Sequence, residues 1–409
     1  NKNVPPLQIR KSYILIKIDN SGKPVYVLKG RYREIILRKK HVYAAPIIII
    51  DSTYTADTVV SPNNIRGAEV LQIDTAGNFV ARYSGLSSSW YIRKGNPFFG
   101  TNLNNSKYTI SILNDSFKAV KSKSFDSLEV YGEVTYNPST GLYYIIGKPD
   151  SAFNIDGQSA SGPFVVFSLD SNLQLVKLKS LDIPGAFDYD ALVQERYFGI
   201  NTTTDGNLLI NGGVRNLSSK IFRLTNGFVM KIDPNFNIKW TTDTKLNAKF
   251  RRSFSGSLRP YSYIEDAVFD RESGFLYTIG KYSGKYIFDQ FQLPTFGDTA
   301  SGPFGVTFLS KMDTLGNVIW TFSAAPVTNS KNTGINWTLG TQPSNYGVSL
   351  DTAKNVYFKG IYRGNFVVGP DSNKAVGFEN IFLAKVSDLS LRRDTNLAAA
   401  YCAGDSIMV

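Results

Sequence analysis

The stretch Phe308-Leu-Ser-Lys-Met-Asp-Thr-Leu-Gly-Asn-Val-Ile-Trp320 reads as two short strands joined by a tight turn. Apolar and polar residues alternate on both sides of the turn, which is the pattern of strands that bury one face. An Asp at such a turn binds its own backbone, and Gly or Asn supplies the positive φ that a tight hairpin needs. The stretch therefore predicts a β-hairpin.

The same phrase occurs seven times along the 409 residues, at intervals of roughly 61 residues on average. Repetition at such a period predicts an architecture built from one recurring unit. We number the repeats 1 to 7 after their turn residues, which are Asp19, Asp74, Asn114, Asp170, Asp233, Asp313 and Ser387.

Two further strands precede the hairpin in most repeats. The strand directly upstream is predicted at residues 141–147, 206–212, 274–280 and 355–360. The strand before that one is predicted at residues 132–136, 265–269 and 346–350. Four short antiparallel strands per repeat are typical of β-propeller blades, which leave only short, protected sheet edges. A linear solenoid is less well matched, because its repeats are usually about 20–45 residues long.

The predicted fold class is therefore all-β, a β-propeller of four-stranded blades over residues 1–396. We expect about seven blades. Six blades and an extra hairpin remain the alternative, because repeat 1 has no room for its first two strands. A short helix is predicted within residues 187–197, and residues 397–409 are predicted to be a linker or the start of a following module.

The composition excludes several classes of site. His41 and Cys402 are the only residues of their kinds, so a disulfide framework, a Cys/His zinc site and histidine-based catalysis are not expected. Asp outnumbers Glu by 25 to 8, which favours turns over helix surfaces. No cofactor and no metal ion is predicted. Any catalysis would rest on carboxylate, Tyr, Lys or Ser chemistry.

The phrases at residues 308–320 and 355–360 resemble the bacterial SBBP-type β-propeller repeat. The resemblance implies an exported protein of Bacteroidota or similar bacteria that is associated with the outer membrane and is secreted by the type IX pathway. It also implies trailing immunoglobulin-like modules, the first of which would start within residues 397–409. It implies an extracellular or cell-surface location and a role in adhesion, gliding motility or a secretion complex. Trp240 and Trp320 also resemble the docking phrase of quinone-dependent dehydrogenases, but a single cysteine excludes the vicinal disulfide of that family.

A binding site is predicted where the first strands of the repeats open at the propeller channel. A carboxylate pair there suits a bound cation or acid–base work on a sugar, whereas a polar, solvated channel lining is the alternative. The enzymatic alternative, a carboxylate-dependent glycan hydrolase or lyase, stays open beside the predicted non-enzymatic protein- or glycan-binding module. The candidates at this channel mouth are Glu133, Arg196, Glu265, Asp266 and Tyr346.

Two basic stretches give a second set of candidates in a chain of net charge +12. Cations interleaved with aromatic residues suit a polyanion or a sugar, and an ordinary solvated loop is the alternative. No recognised nucleic-acid-binding motif is present, so nucleic acid is not an expected partner. No apolar run is long enough to span a membrane. The basic candidates are Arg31, Arg33, Arg38, Lys39, Lys40, Lys245, Lys249, Arg251, Arg252 and Arg259.

Overall fold

The structure is a computed structural model of the chain. It divides into two compact bodies, one of residues 1–129, 149–159 and 169–176 and the other of residues 130–148, 160–168 and 177–409. The described residues are 14–18, 24–29, 32–38, 41–46, 68–73, 79–86, 90–93, 98–104, 107–114, 118–126, 128–129, 134–149, 152–162, 164–182, 199–216, 224–246, 261–294, 306–326, 347–350, 354–362, 365–368, 371–374 and 380–386.

The described residues form strands and turns and contain no helix, which confirms the all-β class. The predicted helix within residues 187–197 lies outside the described residues. The first three repeats contain β1 (Ile14–Ile18), β2 (Pro24–Lys29), β3 (Tyr32–Arg38), β4 (His41–Pro46), β5 (Ala68–Ile73), β6 (Phe79–Leu86), β7 (Trp90–Arg93), β8 (Phe98–Asn104), β9 (Lys107–Leu113), β10 (Ala119–Asp126) and β11 (Leu128–Glu129).

The strands of repeats 4 and 5 follow. They are β12 (Thr135–Asn137), β13 (Leu142–Pro149), β14 (Phe153–Ile155), β15 (Gln158–Ala160), β16 (Phe164–Leu169), β17 (Leu175–Leu181), β18 (Gly199–Thr202), β19 (Leu208–Asn216), β20 (Leu224–Ile232) and β21 (Ile238–Leu246).

Repeats 6 and 7 complete the chain. Their strands are β22 (Tyr261–Phe269), β23 (Leu276–Ser283), β24 (Tyr286–Phe288), β25 (Phe291–Gln292), β26 (Val306–Met312), β27 (Val318–Pro326), β28 (Gly347–Leu350), β29 (Val356–Tyr362), β30 (Asn365–Val368), β31 (Asp371–Lys374) and β32 (Asn380–Val386).

The predicted four-stranded sheet is present as a separate sheet in repeat 2, ordered β3–β4–β5–β6, and in repeat 3, ordered β7–β8–β9–β10. In repeat 4, β12 pairs with β13 in a five-stranded sheet that also contains β16 and β17. Repeats 5 and 6 share one twelve-stranded sheet, because β20 and β22 pair in parallel. Repeat 5 pairs β18–β19–β20–β21 and repeat 6 pairs β22–β23–β26–β27, each neighbouring pair antiparallel. Repeat 1 shows the β1–β2 hairpin, and repeat 7 shows β28–β29–β32. In repeats 2 to 6 the hairpin phrase thus forms the last two strands of the repeat, and in repeat 7 its first strand is β32.

The Asp turn works as predicted, because one carboxylate oxygen accepts two backbone N–H groups. Asp313 Oδ1 accepts from Leu315 and Asn317, both at 2.9 Å. The expectation that Gly or Asn supplies the positive φ is confirmed by Gly316 (φ 87°) and is wrong in repeats 4 and 5, where Leu173 (62°) and Phe236 (63°) take that place.

The non-glycine residues tolerate this conformation because it directs an apolar side chain inward. Phe236 is 1% exposed, and its ring meets the edge of Tyr144 at a centroid distance of 6.2 Å. Left-handed backbone costs about 1–2 kcal/mol, and burying an aromatic side chain contributes about 1.5–3 kcal/mol in return.

The apolar core of the second body lies between successive sheets. One cluster joins repeats 4 and 5 around Phe228, a second joins repeats 5 and 6 around Phe308, and a third joins repeats 6 and 7 around Phe358. Because both faces of the repeat 6 sheet are covered, its third strand, β26, is buried along its whole length. Polar side chains on this sheet therefore lie in a setting where they need partners.

Two inserted hairpins tie neighbouring repeats together. β24 belongs to repeat 6 but pairs with β21 of repeat 5, and β30 of repeat 7 pairs with β27 of repeat 6. At the tip of the β24–β25 hairpin, Asp289 (φ 54°) accepts the N–H of Val318 at 3.0 Å. Each insertion thereby extends the preceding sheet and limits its open edge.

Trp240 has a structural role at the contact between repeats 5 and 6. Its indole N–H donates to the carbonyl of Thr314 at 2.9 Å, and the hydroxyl of Thr242 donates to the carbonyl of Gly316 at 2.6 Å. A Cβ atom on Gly316 would lie 2.6 Å from the Trp240 ring. Glycine is therefore required here for close approach as well as for positive φ.

Candidate functional site

Of the five candidates at the channel mouth, the structure describes Glu265 and Asp266, which are adjacent on β22. The other three, Glu133, Arg196 and Tyr346, lie outside the described residues. The described candidate site is therefore the middle of β22 and the side chains around it.

The basic candidates are described only in part. Arg33 and Arg38 lie on β3. Lys245 is exposed near the end of β21, with its ammonium 3.6 Å from a carboxylate oxygen of Asp243. The remaining basic candidates lie outside the described residues: Arg31, Lys39, Lys40, Lys249, Arg251, Arg252 and Arg259.

A β-bulge interrupts β22 at Glu265. Ile264 is opposite Gly280 on β23 and Asp266 is opposite Ile279, so Glu265 is the extra residue. A bulge re-aims the side chains next to it, and bulges are enriched beside functional sites. Without it, Glu265 and Asp266 would point to opposite faces of the sheet.

Two asparagine side chains of repeat 5 brace the bulge. The amide of Asn211 donates to the carbonyl of Ile264 at 3.2 Å, and the amide of Asn201 donates to the carbonyl of Ala267 at 3.1 Å. These carbonyls flank Glu265 and Asp266 on either side. The backbone of the bulge is thus held by side chains of another repeat, which pre-organises the two acids.

Glu265 forms a buried ion pair with Lys281 of β23. Lys281 Nζ lies 2.5 Å from Glu265 Oε1, and the two side chains are 3% and 0% exposed, respectively. The same ammonium lies 5.4 Å from the ring centroid of Tyr263, its cross-strand neighbour. Thr307 is opposite Lys281 on β26 and shares its face of the sheet.

Burial dominates the protonation of this pair. It raises the pKa of Glu265 above its ordinary value, and the Lys281 ammonium opposes this shift without cancelling it. Burial likewise lowers the pKa of Lys281, against the effect of the Glu265 carboxylate. Both shifts favour the uncharged forms, as expected where desolvation outweighs the attraction between the charges.

Asp266, unlike Glu265, accepts hydrogen bonds from the backbone. Its Oδ2 accepts the backbone N–H of Val348 on β28 at 3.0 Å, and its Oδ1 accepts the N–H of Ala267 at 2.9 Å. Val348 belongs to the core cluster between repeats 6 and 7. Asp266 therefore helps to align the first strand of repeat 7 against repeat 6.

The sequence analysis missed Lys281, Tyr263 and Thr307, and it missed the bracing asparagines Asn201 and Asn211. Lys281 leaves a signal in the sequence, since it is the one charged residue of β23. Nothing in the sequence marks the bulge that turns Glu265 towards it.

The arrangement offers one carboxylate with a raised pKa, one carboxylate bound to backbone N–H groups, one ammonium and one hydroxyl. These groups suit the binding of a hydrogen-bond donor, or proton transfer by Glu265. Within the described ranges, no group of three or more His, Cys, Asp or Glu residues could hold a metal ion. No helix of the described part is long and apolar enough to cross a membrane.

No protein-family model matches the chain, and no curated protein matches it either. The chain is similar in structure to a protein of unknown function from Bacteroides caccae, with 10% identity, a TM-score of 0.37, and coverage of 76% of this chain and 93% of that one. It is also similar to a member of the DUF4221 family from Bacteroides vulgatus, with 11% identity, a TM-score of 0.42, and coverage of 91% and 98%.

A third similar structure is a xylan β-1,4-xylosidase from Bacillus halodurans. The identity is 9%, the TM-score is 0.30, and the match covers 88% of this chain and 53% of that chain. Two of the three organisms are species of Bacteroides. At these identities and TM-scores the likenesses assign neither a family nor an activity.

Proposed function

We propose that the chain is a β-propeller of about seven SBBP-type blades that acts as a non-enzymatic binding or assembly module at the surface of a bacterial cell. Its partner is a protein or a glycan, bound by the loops at one end of the repeats. Support for the fold comes from the recurring four-stranded sheets, the cores between successive sheets of the second body, and the hairpins that extend the preceding sheet.

The observation that carries the binding role is the engagement of both described mouth carboxylates with protein groups. Glu265 is buried against Lys281, and Asp266 accepts the N–H of Val348. A glycosidase acid–base pair instead faces its substrate across a gap of about 5–9.5 Å. Rigid strands that present variable loops are a common platform for recognition.

An experimental map tests the fold. We expect seven four-stranded units around one axis. Repeats stacked along a straight axis would contradict the propeller.

Binding is tested with the whole chain on glycan arrays and on purified surface proteins, at low and high salt. We expect saturable binding to a defined glycan or protein. Binding that weakens with salt points to the basic residues, because salt screens exposed charges. The variant Lys245→Ala tests how much this lysine contributes to binding. The control is Lys118→Ala, since Lys118 is likewise exposed. The absence of saturable binding in both screens would contradict the module.

Surface location is tested separately. We expect protease added to intact cells to remove the protein, whereas a periplasmic control protein survives. Full protection from the protease would contradict the location.

A glycan hydrolase or lyase is the second candidate function. One observation favours it: Glu265 is a buried carboxyl with a raised pKa, which is the state a general acid requires. The test is the release of reducing ends from a panel of neutral and acidic polysaccharides. An activity abolished by Glu265→Gln in a protein that remains folded would replace the binding module as the function.

A further inference from the structure

Among the residues that the structure describes, the second oxygen of the Glu265 carboxylate, Oε2, is buried and has no hydrogen-bond partner. The hydroxyl of Thr307 is also buried without such a partner, in a residue that is 1% exposed. An unsatisfied buried polar group is costly, and more so when it is charged. Two such groups beside the same lysine are costly unless a third group joins them.

The side chains around the bulge do not supply that group. Lys281 Nζ lies on the other oxygen, Oε1. The amides of Asn201 and Asn211 donate to the carbonyls of Ala267 and Ile264. Within the part of the chain that the structure describes, no side chain donates to Oε2, which leaves the place open to a small molecule.

The size and the charge of this molecule are limited by the site. The Glu265 side chain is 0% exposed and the Lys281 side chain 3%, so a molecule that joins them must be small and is enclosed away from solvent. A charged molecule would lose its hydration there, at a cost that only well-placed opposite charges offset. A neutral O–H donor fits both constraints.

We propose that Glu265 and Thr307 form a buried binding site for the hydroxyl group of one small neutral molecule. The hydroxyl donates to Glu265 Oε2 and exchanges a hydrogen bond with Thr307 Oγ1. Buried waters typically make about three such bonds to groups that are otherwise unsatisfied. The source of the hydroxyl is solvent water or a small polyol. The proposal is independent of the proposed function, because it concerns the interior of repeat 6.

A high-resolution crystal structure of the chain, grown without polyols, tests the site. We expect a density peak about 2.6–3.2 Å from Glu265 Oε2 and within the same range of Thr307 Oγ1. A second crystal soaked in glycerol distinguishes the two sources. A peak that stays a single atom identifies water, and a peak that becomes part of a glycerol molecule identifies a polyol site.

Substitution of Thr307 provides the matched comparison. Thr307→Val keeps the shape of the side chain but removes the hydroxyl, and we expect the peak to be lost or displaced. The control is Thr278→Val, since Thr278 is buried on the opposite face of the sheet and is bonded to Ser310. A protein donor on Oε2, or no density within hydrogen-bond distance of it in the wild-type crystal, would overturn the proposal.

Discussion

Two carboxylate–lysine pairs lie five residues apart in repeat 6, and the pKa values of their carboxyl groups are shifted in opposite directions. Glu265 and Asp270 have side chains that are 0% and 3% exposed, respectively, and each lies within 3 Å of a lysine ammonium. The pKa of Glu265 is raised, whereas the pKa of Asp270 is lowered to about 2. Both carboxyls have a nearby cation, but the Glu265 pair is more fully enclosed, since the Lys281 side chain is 3% exposed and the Lys354 side chain 35%. The degree of burial is therefore one contribution to the difference.

Hydrogen bonds to the charged carboxylate are a second contribution to the difference between the two pKa shifts. Burial pushes the pKa of Asp270 upward, but the Lys354 ammonium at 2.8 Å, the Ser273 hydroxyl at 2.5 Å and the Glu272 N–H at 3.1 Å outweigh burial. Among the described groups, Lys281 is the one hydrogen-bond partner of the Glu265 carboxylate. A carboxylate that accepts several hydrogen bonds can stay ionised when buried, and one with a single partner is pushed towards its neutral form. The Asp270–Lys354 pair stabilises a turn, and the Glu265–Lys281 pair has capacity left for a ligand.

The largest expected effect is from removing the lysine of the less satisfied pair. Lys281→Met leaves the Glu265 carboxyl buried without its cation, so the carboxyl must either remain charged and unpaired or take up a proton, and breaking a buried pair in this way destabilises a protein by about 3–5 kcal/mol. We expect a correspondingly lower midpoint in urea unfolding followed by circular dichroism. The double variant Glu265→Gln/Lys281→Met should recover much of this loss, because no unpaired charge remains. A double variant as unstable as Lys281→Met would show that the lysine acts through packing rather than charge.

The second prediction concerns Asp270, whose protonation in acid should lower the stability of the protein. Because its pKa in the folded state, about 2, lies below its ordinary value, it stabilises the fold above pH 4. This stabilisation is lost as the pH falls through about 2, and it amounts to roughly 2 kcal/mol at most, at 1.36 kcal/mol per pKa unit. We expect Asp270→Asn to be less stable than wild type at pH 7.

The control for this prediction is to compare the stability of the wild-type protein with that of Asp270→Asn over a range of pH. Urea midpoints measured between pH 7 and pH 2 should converge at the acid end, since the wild-type carboxyl becomes protonated there. A difference between the proteins that is unchanged from pH 7 to pH 2 would contradict an electrostatic role for Asp270.

The hairpins were predictable from the sequence because a local rule determines them. Asp313 binds the backbone of its own turn, and the alternating residues on either side indicate two strands, although β26 is buried on both faces. The residue at positive φ was less predictable. Phe236 takes it because of a contact with Tyr144, whose position depends on another sheet.

The candidate site was predictable only in part. The sequence draws attention to Glu265 and Asp266 because adjacent acids are uncommon in a strand. A strict period of two places them on opposite faces, and one inserted residue at the bulge changes that assignment. The bulge itself depends on the amides of Asn201 and Asn211, which are more than 50 residues away in the sequence. Such a brace is visible only in three dimensions.

The smallest expected effect is from removing the other lysine. Lys354 is 35% exposed, and without it Asp270 still accepts hydrogen bonds from Ser273 and Glu272. We therefore expect Lys354→Met to lower the urea midpoint less than Lys281→Met or Asp270→Asn does. The pKa of Asp270 should rise and yet remain below its ordinary value, which carbon-13 titration of its carboxyl group would measure.

The matched control for Lys354→Met is Lys239→Met, beside Asp233. The backbone N–H of Asn237 is the first cause of the lowered pKa of Asp233, and Lys239 contributes least. We expect almost no change in the pKa of Asp233 in that variant. If Lys354→Met instead destabilised the protein as much as Lys281→Met, the number of remaining hydrogen bonds would not be what separates the two pairs. Both carboxylates would then depend on their lysines, and Glu265 would have no special capacity to bind a further donor.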